Sequence, residues 1–265
     1  MHMEGLVIQK MKVVILCGGM GQRMREYTDA VPKPLVSICG KPMLWHIMKI
    51  YSSYGFNDFV LLLGYKGEKI KQYFLNYKLN TNNFTLETDS GKIEMWDSAN
   101  DRFKITFLDT GLKSMTGCRI KKAQQVIGHK PFMLTYGDGL SDININKLIE
   151  FHSKKERIAT VTGINKKSQY GILKAHEGIA TSFGEKQDYI GTINGGFFVL
   201  QPEVFNYLNE DEGCVFEDEP IKKLVQDGEL AVYIHDGFWA SADTQSDVLE
   251  LNKRCKDIEN LRKAR

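Results

Sequence analysis

The 265-residue chain balances 35 Lys and Arg against 33 Asp and Glu, and its net charge of +2 offers no basic field for nucleic acid or a membrane surface. A content of 42% hydrophobic and 26% charged residues is that of a globular protein with a sizeable core. Five cysteines (Cys17, Cys39, Cys118, Cys214 and Cys255), odd in number and without C-x-x-C spacing, predict reduced thiols in a cytoplasmic protein, with neither a disulfide framework nor a zinc site.

In chain order, residues 1–10 lack the apolar length and flanks of a signal peptide and read as a leader before Met11. No apolar run approaches the roughly 20 residues that cross a bilayer. Val13–Cys17 (VVILC) is a continuous apolar run, the pattern of a strand buried on both faces. After Pro42, Leu44, Ile47, Met48 and Tyr51 recur at helical spacing, and Phe59–Leu63 (FVLLL) reads as a second buried strand. Ile70, Tyr73, Phe74 and Tyr77 mark another helix. The interval from 76 to 106 is polar and turn-rich, with short alternating runs that predict an antiparallel insertion; it reads as a plain surface excursion or, because Phe84, Met95 and Trp96 are more apolar than a solvated loop needs, as an oligomer contact. FMLTYGDG is a strand ending in a turn, and Ile145, Leu148, Ile149 and His152 follow on a helix. Val248, Leu251, Cys255 and Ile258 place a last helix within 245–265. This βαβα order predicts an α/β fold: one domain over 11–265, its central sheet mostly parallel and flanked by helices.

Gly18, Gly19 and Gly21 directly follow the first strand. A dinucleotide fingerprint would need a third glycine where Met24 stands, and a P-loop fails because Pro42 follows Gly40-Lys41. A plain tight turn and a turn whose N–H groups meet phosphate oxygens both remain open. Ten residues on, Lys33 lies between Pro32 and Pro34, which restrict the backbone on either side and suit a fixed ammonium. With Arg23 nearby, these parts make a phosphate cradle. His46 lies beside the apolar stripe of its helix and reads as structural.

The stretch LCGGMGQRM…VPKPLVSICGKPMLWHIM resembles the N-terminal signature of the sugar-1-phosphate nucleotidyltransferases. DTGLKSMTGCRIKKA, FMLTYGDGLSD, INGGFFVL and GFWASADT resemble its glucose-1-phosphate cytidylyltransferase branch, in the family's order from Met11 to about Leu251. The resemblance implies a Rossmann-like nucleotidyltransferase fold and transfer of CMP from CTP to a phosphorylated acceptor, with Mg²⁺ as cofactor and a homo-oligomeric assembly. Leu16, Cys17, Gly18, Gly19, Gly21, Gln22, Arg23 and Lys33 would then hold the nucleotide, Arg23 and Lys33 on its phosphates. Thr116 and Gly117 would lie against the cytosine, where a small residue permits close approach. Asp138, which also lies beside the nucleotide, and Asp243 would hold the metal. Lys186 would contact the acceptor phosphate, with Asn194, Gly195, Glu217 and Trp239 around the acceptor.

Several positions depart from the family pattern. Cys17 and Gln22 replace the usual Ala and Thr of the turn. On the acceptor side Gln187 replaces a proline after Glu185-Lys186, Ser241 and Ala242 replace Pro and Met before Asp243, and Phe216 stands where Trp is frequent. This clustering raises the expectation of a different acceptor, another sugar phosphate or a non-sugar phosphoryl compound such as a phosphorylated amino-acid amide, beside the default sugar 1-phosphate. A paralogue that binds nucleotide without turnover is a further alternative.

Overall fold

The computed structural model describes residues 11–19, 21, 31–96, 101–167, 172–184 and 190–263. Its strands are β1 (Lys12–Cys17), β2 (Ser37–Ile38), β3 (Lys41–Pro42), β4 (Asp58–Leu63), β5 (Phe84–Leu86), β6 (Ile93–Met95), β7 (Lys104–Asp109), β8 (Phe132–Tyr136), β9 (Gly139–Ser141), β10 (Ala159–Lys167), β11 (Ile172–His176), β12 (Ile179–Gly184), β13 (Ile190–Leu200), β14 (Leu230–His235) and β15 (Trp239–Ser241). The helices are α1 (Met43–Ser53), α2 (Gly67–Leu75), α3 (Tyr77–Thr81), α4 (Thr116–Lys122), α5 (Gln124–Ile127), α6 (Ile145–Lys155), α7 (Glu219–Gln226), α8 (Gln245–Lys253) and α9 (Cys255–Leu261).

Nine strands form one sheet in the order β10-β14-β12-β11-β13-β8-β1-β4-β7. The β8-β1-β4-β7 portion is parallel throughout, and β13 joins β8 antiparallel to extend the sheet. The VVILC run is apolar without interruption because both faces are covered. Val13, Ile15 and Cys17 face a core shared with Leu44, Ile47, Tyr51, Leu148 and Ile258. Val14 and Leu16 face the opposite core, built around Ile120, Phe132, Phe198, Phe205 and Phe216. Each face therefore removes a large apolar area from water, the main favourable contribution to folding.

The expected insertion contains the two-stranded sheet β5–β6, paired Phe84↔Met95 and Leu86↔Ile93. The predicted last helix is two helices, because the chain turns at Arg254 between α8 and α9. The expectation of five reduced thiols is corrected: Cys39 and Cys255, 216 residues apart, form a disulfide. Sequence spacing carried no sign of it, because the pair meets only when the C-terminal helices pack on the β2–β3 turn. There the Asn252 side chain accepts from Cys39 N at 2.8 Å and donates to Val248 O at 2.8 Å, locking α8 to that turn. Cys17, Cys118 and Cys214 are free thiols.

His46 and His152 are buried. His46 Nε2 donates to Ile38 O at 2.7 Å. Gln201 donates to His152 Nε2 at 2.9 Å, which leaves Nδ1–H to donate to Thr160 Oγ1 at 2.8 Å, the pattern of a neutral ring. Burial lowers both pKa values from the ordinary 6.5 to about 4. Above pH 6.5 both rings are neutral, folded or unfolded, and their contribution to stability is complete. Between pH 6.5 and 4 the unfolded chain takes up protons that the folded chain refuses, so stability falls with pH. At pH 5 the two histidines should together make the protein roughly 3–4 kcal/mol less stable than at pH 7. Urea denaturation at the two pH values measures this, and His152→Gln should remove about half of the difference.

Candidate active site

A cleft of about 370 Å³ opens at the carboxyl ends of β1 and β8, where open α/β sheets bind ligands. Leu16, Cys17, Gly19, Gly21, Lys33, Thr116, Tyr136, Asp138 and Asp243 line it. A larger cavity of about 460 Å³ lies at the opposite strand ends, among Lys12, Asp58, Arg102, Lys104 and Lys130. That cavity has neither the glycine turn nor paired carboxylates, and Asp58 already joins Lys12 to Lys104 at 3.0 Å each. The smaller cleft holds the convergent chemistry.

Local structure explains each charged group. Pro32 and the buried Pro34 frame a single 3₁₀ turn, Lys33–Leu35, closed by Leu35 N donating to Pro32 O at 2.8 Å. This turn delivers Lys33 to the cleft from a backbone with little freedom. Asp138 follows β8 after Gly137. The β9–β15 pair, in register Ser241↔Gly139, brings the distant segment alongside, and Ala242 N donates to Asp138 O at 2.9 Å. Asp243 precedes α8, which starts with a capping box between Thr244 and Asp247. The same Asp247 carboxylate accepts from Asp243 N at 3.1 Å, and Ser241 Oγ donates to Asp243 Oδ2 at 2.7 Å.

Lys33 Nζ then lies 2.6 Å from Asp138 Oδ2 and 2.6 Å from Asp243 Oδ1. Burial works against the ammonium, but the two carboxylates outweigh it and raise the lysine above its ordinary pKa. Burial, and then Asp138, pushes the Cys17 thiol up, so this cysteine stays protonated beside the cleft. Tyr136 is likewise pushed well up by burial and by Glu217, to which its hydroxyl donates at 2.6 Å.

Among the described glycines of the turn, Gly21 has φ +61°, a left-handed conformation that favours glycine. Gly18 is small for another reason: a Cβ there would lie 2.3 Å from Arg119 Cζ. Arg119 is buried beneath the turn, and Nη1 donates to Leu63 O, Thr110 Oγ1 and Gly111 O at 2.9, 2.6 and 2.8 Å. Nη2 reaches Gly18 O at 3.1 Å and Leu112 O at 3.3 Å. The guanidinium thus ties the first glycine to the loop after β7. Sequence reasoning quoted Arg119 without a role; the only available signal was a cation between the apolar Cys118 and Ile120. Tyr136 and Asp247 were also missed, although Thr-x-x-Asp at 244–247 is a readable capping signature.

The acceptor-side residues form a wall rather than the cleft lining. Asn194 Nδ2 donates to Tyr136 Oη at 3.1 Å, and its Oδ1 accepts from Gly196 N at 2.9 Å. Thr116 Oγ1 donates to Glu217 Oε2 at 2.5 Å, and Trp239 Nε1 donates to Gly195 O at 2.7 Å. Tyr136 links this wall to the cleft. A Cβ at Gly117 would lie 2.5 Å from Cys214 Sγ, so close packing against the loop that carries Cys214 also requires a small residue there. Gln22, Arg23 and Lys186 lie outside the described residues.

Comparison with known proteins identifies the family. Residues 12–257 match the nucleotidyl transferase family model. The chain is 56% identical over 243 residues to a probable glucose-1-phosphate cytidylyltransferase of Bacillus subtilis, covering 92% of this chain and 95% of that one. It is 43% identical over 243 residues to a glucose-1-phosphate cytidylyltransferase of Salmonella typhimurium, covering 91% and 94%. Among solved structures, a putative glucose-1-phosphate thymidylyltransferase of Bacillus anthracis superposes with a TM-score of 0.75 at 16% identity, over 93% of this chain and 96% of that one, a likeness of fold.

Arg119 is also close to Gly64, where a Cβ would lie 2.5 Å from Nη1. Gly64→Ala should therefore displace the guanidinium and destabilise the protein by about 1–3 kcal/mol, measured by chemical denaturation. A variant as stable as the wild type would refute this packing role.

Proposed function

The chain belongs to the nucleotidyl transferase family, and from that premise we propose that it transfers CMP from CTP to a sugar 1-phosphate, by default glucose 1-phosphate, releasing pyrophosphate. The observation that carries this reading is the convergence of a glycine turn, a proline-held lysine and two aspartates on one cleft at the strand ends. An acceptor phosphate oxygen attacks the α-phosphorus of CTP; the bond to the β-phosphate oxygen breaks, and its electron pair leaves with pyrophosphate. The protein's task is alignment and charge neutralisation.

Backbone N–H groups of the turn at Gly18, Gly19 and Gly21 are assigned to the phosphates, together with Lys33 and Arg23. Mg²⁺ is assigned to Asp138 and Asp243, whose carboxylate oxygens converge on a single cation, the Lys33 ammonium, and suit a hard metal. When bound, the metal would supply charge neutralisation at the phosphate oxygens. Lys186 is assigned to the acceptor phosphate. Asn194, Gly195, Glu217 and Trp239 shape the acceptor side through the Tyr136 wall.

The identity to cytidylyltransferases favours the sugar acceptor over the non-sugar compound and over a non-catalytic paralogue. Gln187 lies outside the described residues, and the other three positions that raised the alternative have local explanations. Ala242 and Phe216 are buried in the two cores, and Ser241 bonds Asp243. None of these three opens a new acceptor surface.

We place the reaction in a homo-oligomer. Phe84, Leu86, Ile93 and Met95 form cross-strand pairs on one face of the β5–β6 hairpin, and all four remain exposed. An isolated two-stranded hairpin is marginal in water, so a second copy covering this face supplies the missing burial.

With CTP, glucose 1-phosphate and Mg²⁺ the protein should release pyrophosphate and form a cytidine diphosphate sugar. Asp138→Asn should lower kcat by about 10²–10³-fold. If no sugar 1-phosphate yields pyrophosphate with CTP, this reading fails. Light scattering should find an oligomer, and Leu86→Lys with Ile93→Lys should dissociate it; a monomeric wild type would refute the assembly.

A further inference from the structure

Lys33 stands where the two carboxylates would hold a metal. Its ammonium touches Asp138 Oδ2 and Asp243 Oδ1 at 2.6 Å each, and only 14% of its side chain is exposed. Ser241 engages the other oxygen of Asp243, which leaves Oδ1 aimed at the same point. An ammonium in contact with those oxygens competes with a divalent cation for them, because like charges at that separation repel. The backbone under Lys33 is held by Pro32, Pro34 and the 3₁₀ turn, so the yielding part is the four-carbon side chain.

We propose that Lys33 is an exchangeable placeholder for the metal. In the free protein it neutralises Asp138 and Asp243 and keeps a divalent cation from binding them. It gives them up when a triphosphate in the cleft offers the ammonium new anionic partners. Metal and triphosphate binding are then coupled through one side chain. The inference rests on the metal assignment above but makes a separate demand. A lysine that serves only phosphate leaves free-metal affinity unchanged when removed, whereas removal of a placeholder raises it.

The test is a Mn²⁺ titration of the full-length, nucleotide-free protein, with free Mn²⁺ read by electron paramagnetic resonance. Wild type should bind weakly and Lys33→Met at least about tenfold more tightly. Lys33→Arg, which keeps a cation there, should stay weak, and Asp138→Asn in the Lys33→Met background should abolish the gain. If Lys33→Met fails to fold by circular dichroism, Lys33→Gln takes its place, and a larger Mn²⁺-induced rise in its Tm than in that of wild type is the expected result. Neutral variants that bind Mn²⁺ no more tightly than wild type overturn the placeholder. If wild type nonetheless makes the cytidine diphosphate sugar, the proposed function survives that result. Absence of metal-dependent pyrophosphate release alongside tight Mn²⁺ binding by Lys33→Met would sink the function and leave the placeholder standing.

Discussion

One ammonium between two carboxylates organises this molecule. Lys33, Asp138 and Asp243 come from three distant parts of the chain, and the contacts between them are 2.6 Å long. Each arrives by a different device: a proline-framed turn, the carboxyl end of a buried parallel strand, and a helix capping box. The β9–β15 pair joins the last two devices directly. Opposite charges at contact in a partly buried site interact far more strongly than at the surface, so the geometry is well determined once the scaffold exists. The same concentration of charge makes the site suitable for a metal and for polyphosphate.

A second buried cation supports the opposite wall. Arg119 is surrounded by carbonyl and hydroxyl oxygens, and its room is made by the absence of side chains at Gly18 and Gly64. Burial lowers its pKa, the cost of taking a guanidinium out of water. The hydrogen bonds offset that cost and fix the backbone at which the glycine turn begins. The Cys39–Cys255 bond works at the other flank, joining the turn just beyond Lys33 to the helices just beyond Asp243. The segments that carry the ion pair are therefore tied twice, once by charge and once covalently.

Much of the scaffold was legible because its signals are local. The VVILC and FVLLL runs, the α1 stripe and the Ile145–His152 stripe each report burial through periodicity, and each lies in the expected strand or helix. The glycine cluster and the proline-flanked lysine were legible as backbone devices. Arg119, Tyr136 and the disulfide were not, because their meaning comes from partners far along the chain. Gly117 shows the same limit. Its need for smallness could be read, but one neighbour that imposes it, Cys214, is brought in only by packing. The break at Arg254 also escaped periodicity, since two short helices with a common apolar face look like one.

The sequence by itself determined the alternation of strands and helices, the residue types available for phosphate and metal chemistry, and the membership that its motifs imply. Those properties depend on side-chain volume, backbone freedom and charge, which act within a few residues. The tertiary structure decided that Lys33 lies between the aspartates, that Arg119 lies under the glycine turn, and that two of the five cysteines meet. Such pairings depend on strand order and on how helices pack across the sheet. They follow from burying two apolar faces at once, which no short stretch of the chain can specify alone.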